Sequence, residues 1–231
     1  MTVEDVKESY TAFHRTHNPA QVYPSEWVIR TLLGRYPKLD LDKSRYRGAK
    51  ILDVGFGDGR NWPLLHHAGF QIHGVEITEE ILALGRARAE ALGADATLRL
   101  GTNCALPFDD ETFDYALASS SCYYVDKGTT FDDNLAEYAR VLKPGGYLLA
   151  TLPEAGSSIF DGCAELADGH VEIRNDPWGL RNGYIFRRFR TEAELVETFS
   201  PRFEEFSVGL CRDDYYGVQI NLFLLVCRKK S

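Results

Sequence analysis

The stretch Ile51-Leu-Asp-Val-Gly-Phe-Gly-Asp-Gly-Arg-Asn61 decides how the rest of the chain is interpreted. It begins with the apolar run of residues 51–54, which is typical of a buried strand. Glycines then follow at every second position, Gly55, Gly57 and Gly59. Because glycine has no Cβ atom, a ligand can lie against bare backbone in such a turn. The stretch therefore predicts a strand followed by a ligand-binding turn.

The spacing of the glycines indicates which ligand this turn would hold. A helix is expected next, with Pro63 in its first turn and Gly69 just past its end. A dinucleotide fingerprint would need its third glycine at the position of Arg60. Asp53 on the strand would repel a pyrophosphate and attract a ligand that carries an ammonium group. A glycine-rich turn with no ligand is the alternative interpretation.

The composition excludes several classes of function. The 231 residues carry a net charge of −8, which argues against binding to the phosphate backbone of nucleic acids. No apolar run of about 18 residues occurs, and the N-terminus is acidic and polar, so neither a membrane span nor a secretory signal is expected. Five scattered cysteines without a C-x-x-C pair favour free thiols in a reducing compartment. We therefore expect a cytoplasmic protein with a small-molecule partner.

A second strand over residues 71–76 ends in an acid, Glu76. It lies 21 residues after Gly55, the distance at which one β-α-β unit returns to the same edge of a sheet. A carboxylate at this place can accept hydrogen bonds from both hydroxyls of an adenosine ribose. The alternative is an acidic helix start before Thr78, which would complement the helix dipole. The helix that follows is expected to stop at Gly93.

Three further strands and a helix complete the regular part of the chain. The strands are expected at 96–100, 114–119 and 147–151, and Thr130 is expected to cap the helix before the last of them. Two segments link these elements: Gly101-Thr-Asn-Cys-Ala-Leu-Pro-Phe108 and Lys143-Pro-Gly-Gly146.

Taken in this order, the glycine turn, Glu76, the Leu106-Pro-Phe segment and the Lys-Pro-Gly-Gly turn resemble the motifs of class I, Rossmann-like S-adenosylmethionine (SAM)-dependent methyltransferases. The resemblance covers residues 50–152. One departure stands out, since Thr102, followed by Asn103, stands where many members carry an aspartate that accepts from the adenine amino group. Either side chain can supply an acceptor.

The resemblance implies a set of site residues. Asp53 would lie near the methionine ammonium, the glycine backbone against the cofactor, Glu76 at the ribose and the 102–104 loop at the adenine. The expected cofactor-binding residues are Asp53, Gly55, Gly57, Gly59, Glu76, Ile77, Thr102, Asn103, Cys104 and Ser119. The expected substrate-binding residues are Tyr23, Tyr123, Tyr124 and Trp178. Candidate bases are His14 and His170. No metal is expected, because the acids near the fourth strand are mostly helix-start residues.

The expected fold is α/β, a doubly wound, mostly parallel seven-stranded Rossmann-like sheet with an antiparallel last strand. The chain is interpreted as one domain, 1–231, with an N-terminal helical cover over 1–49 and a substrate-cap insertion over 153–190. That insertion is rich in glycine and lacks regular periodicity, and we expect loops at 168–170 and 176–184. Two final strands near 203–209 and 219–228 would pair in antiparallel fashion.

The predicted activity is methyl transfer from SAM to a small-molecule acceptor, with S-adenosylhomocysteine (SAH) as the product. Two other interpretations stay open. One is a SAM-binding regulatory or scaffolding protein without turnover. The other is a nucleotide- or NAD-binding Rossmann enzyme, which the glycines at alternate positions disfavour.

Overall fold

A computed structural model describes residues 22–231, together with Glu8 and Thr11. The candidate base His14 and most of the first 21 residues of the predicted N-terminal cover lie outside the described residues. Within 22–231 no helix is long and apolar enough to cross a membrane.

Five α-helices fall within residues 22–231: α1 Glu26–Leu33, α2 Trp62–Ala68, α3 Glu79–Leu92, α4 Phe131–Val141 and α5 Glu192–Phe199. The helix ends predicted at Gly69, Gly93 and Thr130 are confirmed. Gly69 and Gly93 close α2 and α3 in the left-handed conformation, at φ 90° and 61°. Thr130 caps α4 with a reciprocal capping box to Asp133.

The strands are β1 Lys50–Val54, β2 Gln71–Glu76, β3 Ala96–Leu100, β4 Phe113–Ala118, β5 Tyr124–Val125, β6 Leu142–Pro153, β7 Ala164–Glu165, β8 His170–Glu172, β9 Ile185–Arg187, β10 Phe203–Tyr215 and β11 Val218–Lys229. Seven of them form the main sheet in the order β10-β11-β6-β4-β1-β2-β3. Neighbouring strands are parallel across the part of the sheet formed by β3, β2, β1, β4 and β6. The strand β11 is antiparallel to both of its neighbours, β6 and β10. The predicted sheet, including its antiparallel end, is confirmed.

Helices cover both faces of this sheet, because successive strand residues point to opposite sides. In β4, Tyr115 and Leu117 pack with α1, α2 and α3, while Ala116 and Ala118 pack with α4 and α5. Each face of the sheet therefore carries a continuous apolar core. The doubly wound architecture follows because apolar side chains point alternately to the two faces.

The chain from 154 to 190 is more ordered than the expected loops. It contains β7, β8 and β9, which pair with β5 in a second sheet of order β5-β9-β8-β7. This sheet has its own small core of Tyr123, Ile159, Phe160, Val171, Ile173 and Phe186. Residues 176–184 do form a loop, but His170 begins β8. Strands of two or three residues are too short to produce a readable period, which explains the difference.

Candidate active site

The turn after β1 is held in a conformation that favours glycine. Gly55, Gly57 and Gly59 have φ values of +69°, +59° and +68°. The Gly55 amide donates to the Val75 carbonyl at 2.9 Å, which ties the turn to β2. A Cβ atom on Gly55 would lie 2.7 Å from the Cβ of Ser121, in the loop after β4. The ends of three neighbouring strands therefore meet at this turn, as expected for the binding edge of an open parallel sheet.

Asp53 is buried beneath this turn. Its Oδ2 accepts a hydrogen bond from the Trp62 indole at 3.0 Å, while its Oδ1 has no hydrogen-bond partner among the described residues. Burial raises the pKa of Asp53 to about 7 against the opposing effect of the Trp62 hydrogen bond, and the nearby carboxyls of Glu76 and Asp58 add smaller upward contributions. A buried carboxylate oxygen without a partner is costly, so it indicates a missing donor.

Glu76 lies at the end of β2 and contacts the same turn. One carboxylate oxygen accepts from the Gly57 amide at 2.7 Å and the other from the Ile77 amide at 3.1 Å. Burial raises its pKa to about 7, although these two hydrogen bonds oppose the shift. The side chain therefore has a fixed orientation, with lone pairs left on both oxygens for a further donor.

One cavity of about 530 Å³ opens beside the turn, a size typical of small-molecule sites. Its glycine side is lined by Gly55, Phe56, Gly57, Asp58, Arg60, Asn61, Ser119 and Ser120. Its cap side is lined by Tyr123, Tyr124, Ile159, Trp178, Leu180, Arg181 and Phe186. Pro153, Ser157 and residues of β11 complete the wall. The cavity thus joins the glycine turn to the second sheet.

Six of the predicted site residues line this cavity together: Gly55, Gly57, Ser119, Tyr123, Tyr124 and Trp178. Tyr23 is described but does not line it, and its side chain is 79% exposed. Its predicted role in substrate binding has no support from this position. Gly59 shapes the same turn but is not part of the wall.

The loop predicted to face adenine is held by hydrogen bonds within the protein. Asn103 donates to the carbonyls of Ser121 and Tyr124 at 2.9 and 3.1 Å, and its Oδ1 accepts from the Tyr138 hydroxyl at 2.8 Å. These contacts tie the loop to the segment after β4, which favours Thr102 over Asn103 for a base contact. Cys104 contacts Thr102 Oγ1 and Asp126, both at 3.3 Å.

His170 lies away from the cavity wall. Its Nε2 accepts from the Phe131 amide at 3.2 Å, at the start of α4, and its Nδ1 lies 3.0 Å from the Ala167 carbonyl. With Nε2 as the acceptor, Nδ1 carries the proton and donates to Ala167. Both nitrogens are engaged by backbone, so the position favours a structural role over that of a base.

Several wall residues were not expected from the sequence. Ser120 adopts φ 59°, a conformation uncommon for a residue with a side chain, and its amide donates to Thr151 Oγ1 at 2.8 Å. Arg60 forms an ion pair with Asp58 at 2.9 Å on the glycine side. Arg181 enters from the cap loop. The polar run Ser119-Ser-Ser121 after a strand was a usable signal, whereas nothing local distinguished Arg181.

Comparisons with known proteins agree with this geometry. Residues 52–150 match the family model described as a methyltransferase domain. This segment contains the end of β1, the glycine turn, Glu76 and β4. Over these 99 of its 231 residues the chain matches the methyltransferase family. The demethylmenaquinone methyltransferase of Tropheryma whipplei is 36% identical over 102 residues, which are 44% of this chain and 41% of that relative. The chain spans less than half the length of the curated relatives it matches.

Solved structures show the same fold. A SAM-dependent methyltransferase from Methanosarcina mazei superposes with a TM-score of 0.65 at 24% identity, over 85% of this chain and 98% of that one. The 1,6-didemethyltoxoflavin-N1-methyltransferase of Burkholderia thailandensis, solved with 1,6-didemethyltoxoflavin and SAH, superposes with a TM-score of 0.58 at 19% identity. The alignment covers 80% of this chain and 72% of that one.

SAM is the cofactor of this family, and the residues present fit it. The unpartnered Oδ1 of Asp53 suits an ammonium donor. The Cβ-free surface of Gly55 and Gly57 offers a backbone cradle beside it, and the Glu76 carboxylate retains acceptor capacity at the end of the neighbouring strand.

Proposed function

We propose that this protein transfers a methyl group from SAM to a small-molecule acceptor and releases SAH. The observation that carries the proposal is the single cavity that joins the glycine turn to the aromatic wall of the second sheet. The turn side offers the polar and backbone groups that suit SAM, and the cap side offers a largely apolar space for a second molecule. Two reactants held in one site are what a group transfer requires.

In this proposal the cofactor supplies an electrophilic methyl group on a sulfonium, and the chain supplies position. Asp53 holds the ammonium end, Glu76 holds the ribose hydroxyls, and the 102–104 loop lies at the adenine. Gly59, Ile77, Thr102, Asn103, Cys104 and Ser119 complete the proposed cofactor residues. The fixed hydrogen bonds of Glu76 to Gly57 and Ile77 support this, because they orient the carboxylate before any ligand arrives.

The aromatic wall orients the acceptor and excludes water from it. Burial raises the pKa of Tyr124 to about 12 and that of Tyr123 well above its ordinary value. Both phenols are therefore neutral near pH 7, so they serve as walls and hydrogen-bond donors rather than as bases. No step is assigned to His170 or His14, and an acceptor that is nucleophilic without losing a proton would need no base.

The region 153–190 acts in this proposal as the part of a single domain that shapes the acceptor site. The two named relatives take different acceptors, demethylmenaquinone and 1,6-didemethyltoxoflavin by their names, so no acceptor is carried over from them. We also propose a cytoplasmic location, in keeping with five cysteines that are all free.

The test is acceptor-dependent formation of SAH. Purified protein and SAM are incubated with a panel of small aromatic and apolar nucleophiles, and SAH and the methylated product are followed by mass spectrometry. The proposal expects SAH to appear in proportion to one class of acceptor, and the signal at subsaturating SAM to fall in Glu76→Gln. Tight SAH binding without turnover on any acceptor would instead favour the regulatory interpretation.

A further inference from the structure

Arg181 is the cationic side chain on the cap side of the cavity wall, as far as residues 22–231 describe it. Its neighbours there are mostly aromatic or aliphatic, including Tyr124, Trp178 and Phe186. The other cation of the described wall, Arg60, is paired with Asp58 on the glycine side. A charged group in a largely apolar part of a ligand site is usually placed for one contact with the ligand.

The loop that carries Arg181 is built around Asp176. The Asp176 side chain is fully buried, and its oxygens accept from the amides of Trp178, Leu180 and Arg181 at 3.3, 2.8 and 2.9 Å. The same carboxylate accepts from Arg181 Nε at 3.2 Å. Asp176 therefore fixes both the backbone of the loop and one edge of the guanidinium.

Nε faces Asp176, so the remaining donors of the guanidinium are its two Nη groups, and the Tyr124 side chain is hydrogen-bonded to Arg181. The indole of Trp178 lies against the guanidinium, with 5.0 Å between Arg181 Cζ and the ring centroid. This stacking and the Asp176 contact hold the planar group in one orientation. The Arg181 side chain therefore loses its conformational entropy before a ligand binds, which favours a tight and selective contact.

The charge of Arg181 is only partly balanced within the site. Tyr123 and Tyr124 lie close to it, but both phenols are neutral near pH 7 because burial raises the pKa of each. The negative charge of Asp176 is shared among three backbone amides and Nε. The Nη groups of a planar guanidinium match a carboxylate, which can accept two parallel hydrogen bonds from them.

The geometry points to Arg181 as the residue that selects an acceptor carrying a carboxylate next to a flat, apolar body. The flat body would lie between the aromatic wall and Leu180, and the carboxylate would bind the Nη edge. This inference rests on the proposed function, since it takes the cap side of the cavity to be the acceptor site.

Three probes of nearly the same shape test the charge preference: benzoate, benzamide and benzamidine, with charges of −1, 0 and +1. Each is titrated into the intact 231-residue chain saturated with SAH, and binding is followed by NMR. Benzoate should bind with a dissociation constant on the order of 10 mM or tighter, given its few atoms. It should bind roughly tenfold or more tightly than benzamide, since a hydrogen bond to a charged group is lost in the amide. Benzamidine should bind least.

Arg181→Met keeps much of the bulk and removes the charge. It is expected to fold, because Asp176 retains three backbone donors. Benzoate should then bind no better than benzamide, while SAH affinity stays as in the unaltered protein. Arg174→Gln is the matched control, because Arg174 belongs to the same cap region, is largely exposed and does not line the cavity. It should keep the preference for benzoate.

The possible failures are separable. An absence of SAH binding in folded, unaltered protein would overturn the proposed function and this inference with it. With SAH binding intact, either no saturable benzoate binding or equal affinity for benzoate and benzamide would overturn this inference alone. A loss of SAH affinity in Arg181→Met as large as the loss of benzoate affinity would also overturn it, because Arg181 would then hold the cofactor.

Discussion

Asp53 and Glu76 are the two side chains on which the proposed cofactor site depends. Both are buried carboxyls at the ends of adjacent strands, and both have a pKa of about 7 because burial disfavours the charged form. Glu76 is already oriented by two amides, whereas Asp53 has one oxygen without a partner among the described residues. A cationic donor near Asp53 would satisfy this oxygen.

Glu76→Gln is expected to weaken SAH binding roughly tenfold to a hundredfold. An amide has only one acceptor oxygen, so its NH₂ group would face the N–H of either Gly57 or Ile77. It could then no longer accept hydrogen bonds from both ribose hydroxyls. Calorimetric titration with SAH measures the effect. Glu79→Gln is the control, because Glu79 is exposed on the first turn of α3 and should leave the affinity unchanged. Unchanged SAH affinity in Glu76→Gln would show that the ribose assignment is wrong.

SAH affinity is expected to rise from about pH 6 to about pH 8 and then to level off. Asp53 and Glu76 are partly protonated in the free protein near pH 7. An ammonium and two ribose hydroxyls favour the ionised carboxylates, so SAH binding lowers both pKa values and releases protons. The same raised pKa values make the free protein less stable as the pH rises from about 4 to about 7, because the unfolded chain loses its protons first.

Calorimetry in buffers of different ionisation enthalpy counts the released protons. Asp53→Asn should reduce that count, since an amide cannot titrate. An affinity that does not change with pH, or proton uptake on binding, would contradict the assignment of these two carboxyls.

At the scale of elements, the glycine turn connects β1, β2 and the loop after β4. Gly55→Ala would place a methyl group 2.7 Å from Ser121 Cβ in a backbone conformation with φ +69°. We expect about 1–3 kcal/mol of lost stability from the backbone strain, together with at least a tenfold loss of SAH affinity. Thermal unfolding with and without SAH measures both.

Gly93→Ala is the matched control for this substitution. Gly93 has φ +61° at the end of α3, and a Cβ atom there would meet nothing within 4 Å. It should lose stability by a similar strain while SAH affinity stays unchanged. Equal effects of the two substitutions on SAH affinity would mean that the turn does not contact the cofactor.

The elements that could be predicted from the sequence are those with a strong local cause. The strands over 71–76 and 96–100 and the helix ends at Gly69 and Gly93 follow from apolar periodicity and from glycine at a left-handed position. The strands β7 to β9 could not be predicted, because each has two or three residues and depends on partners far along the chain. Their stability comes from tertiary contacts rather than from propensity.

At the scale of the whole molecule, the cavity is assembled from segments that are distant in sequence. Residues of the turn near Gly55, the loop after β4, the cap loop near Arg181 and β11 near Gln219 all line it. Sequence motifs indicated the first two segments, because the backbone requirement is local. The sequence assigned the loop 176–184 to the substrate cap but did not single out Arg181 within it. The strand β11 enters the wall only through the topology, in which it pairs with β6.

The central claim is that the turn after β1 binds SAM, and calorimetric titration of the purified protein with SAH tests it most directly. NADH serves as the control ligand, because a dinucleotide would require the glycine spacing that Arg60 interrupts. The account predicts saturable binding of SAH with a dissociation constant in the micromolar range and no response to NADH. Folded protein that does not bind SAH, or that binds NADH more tightly than SAH, would contradict the claim.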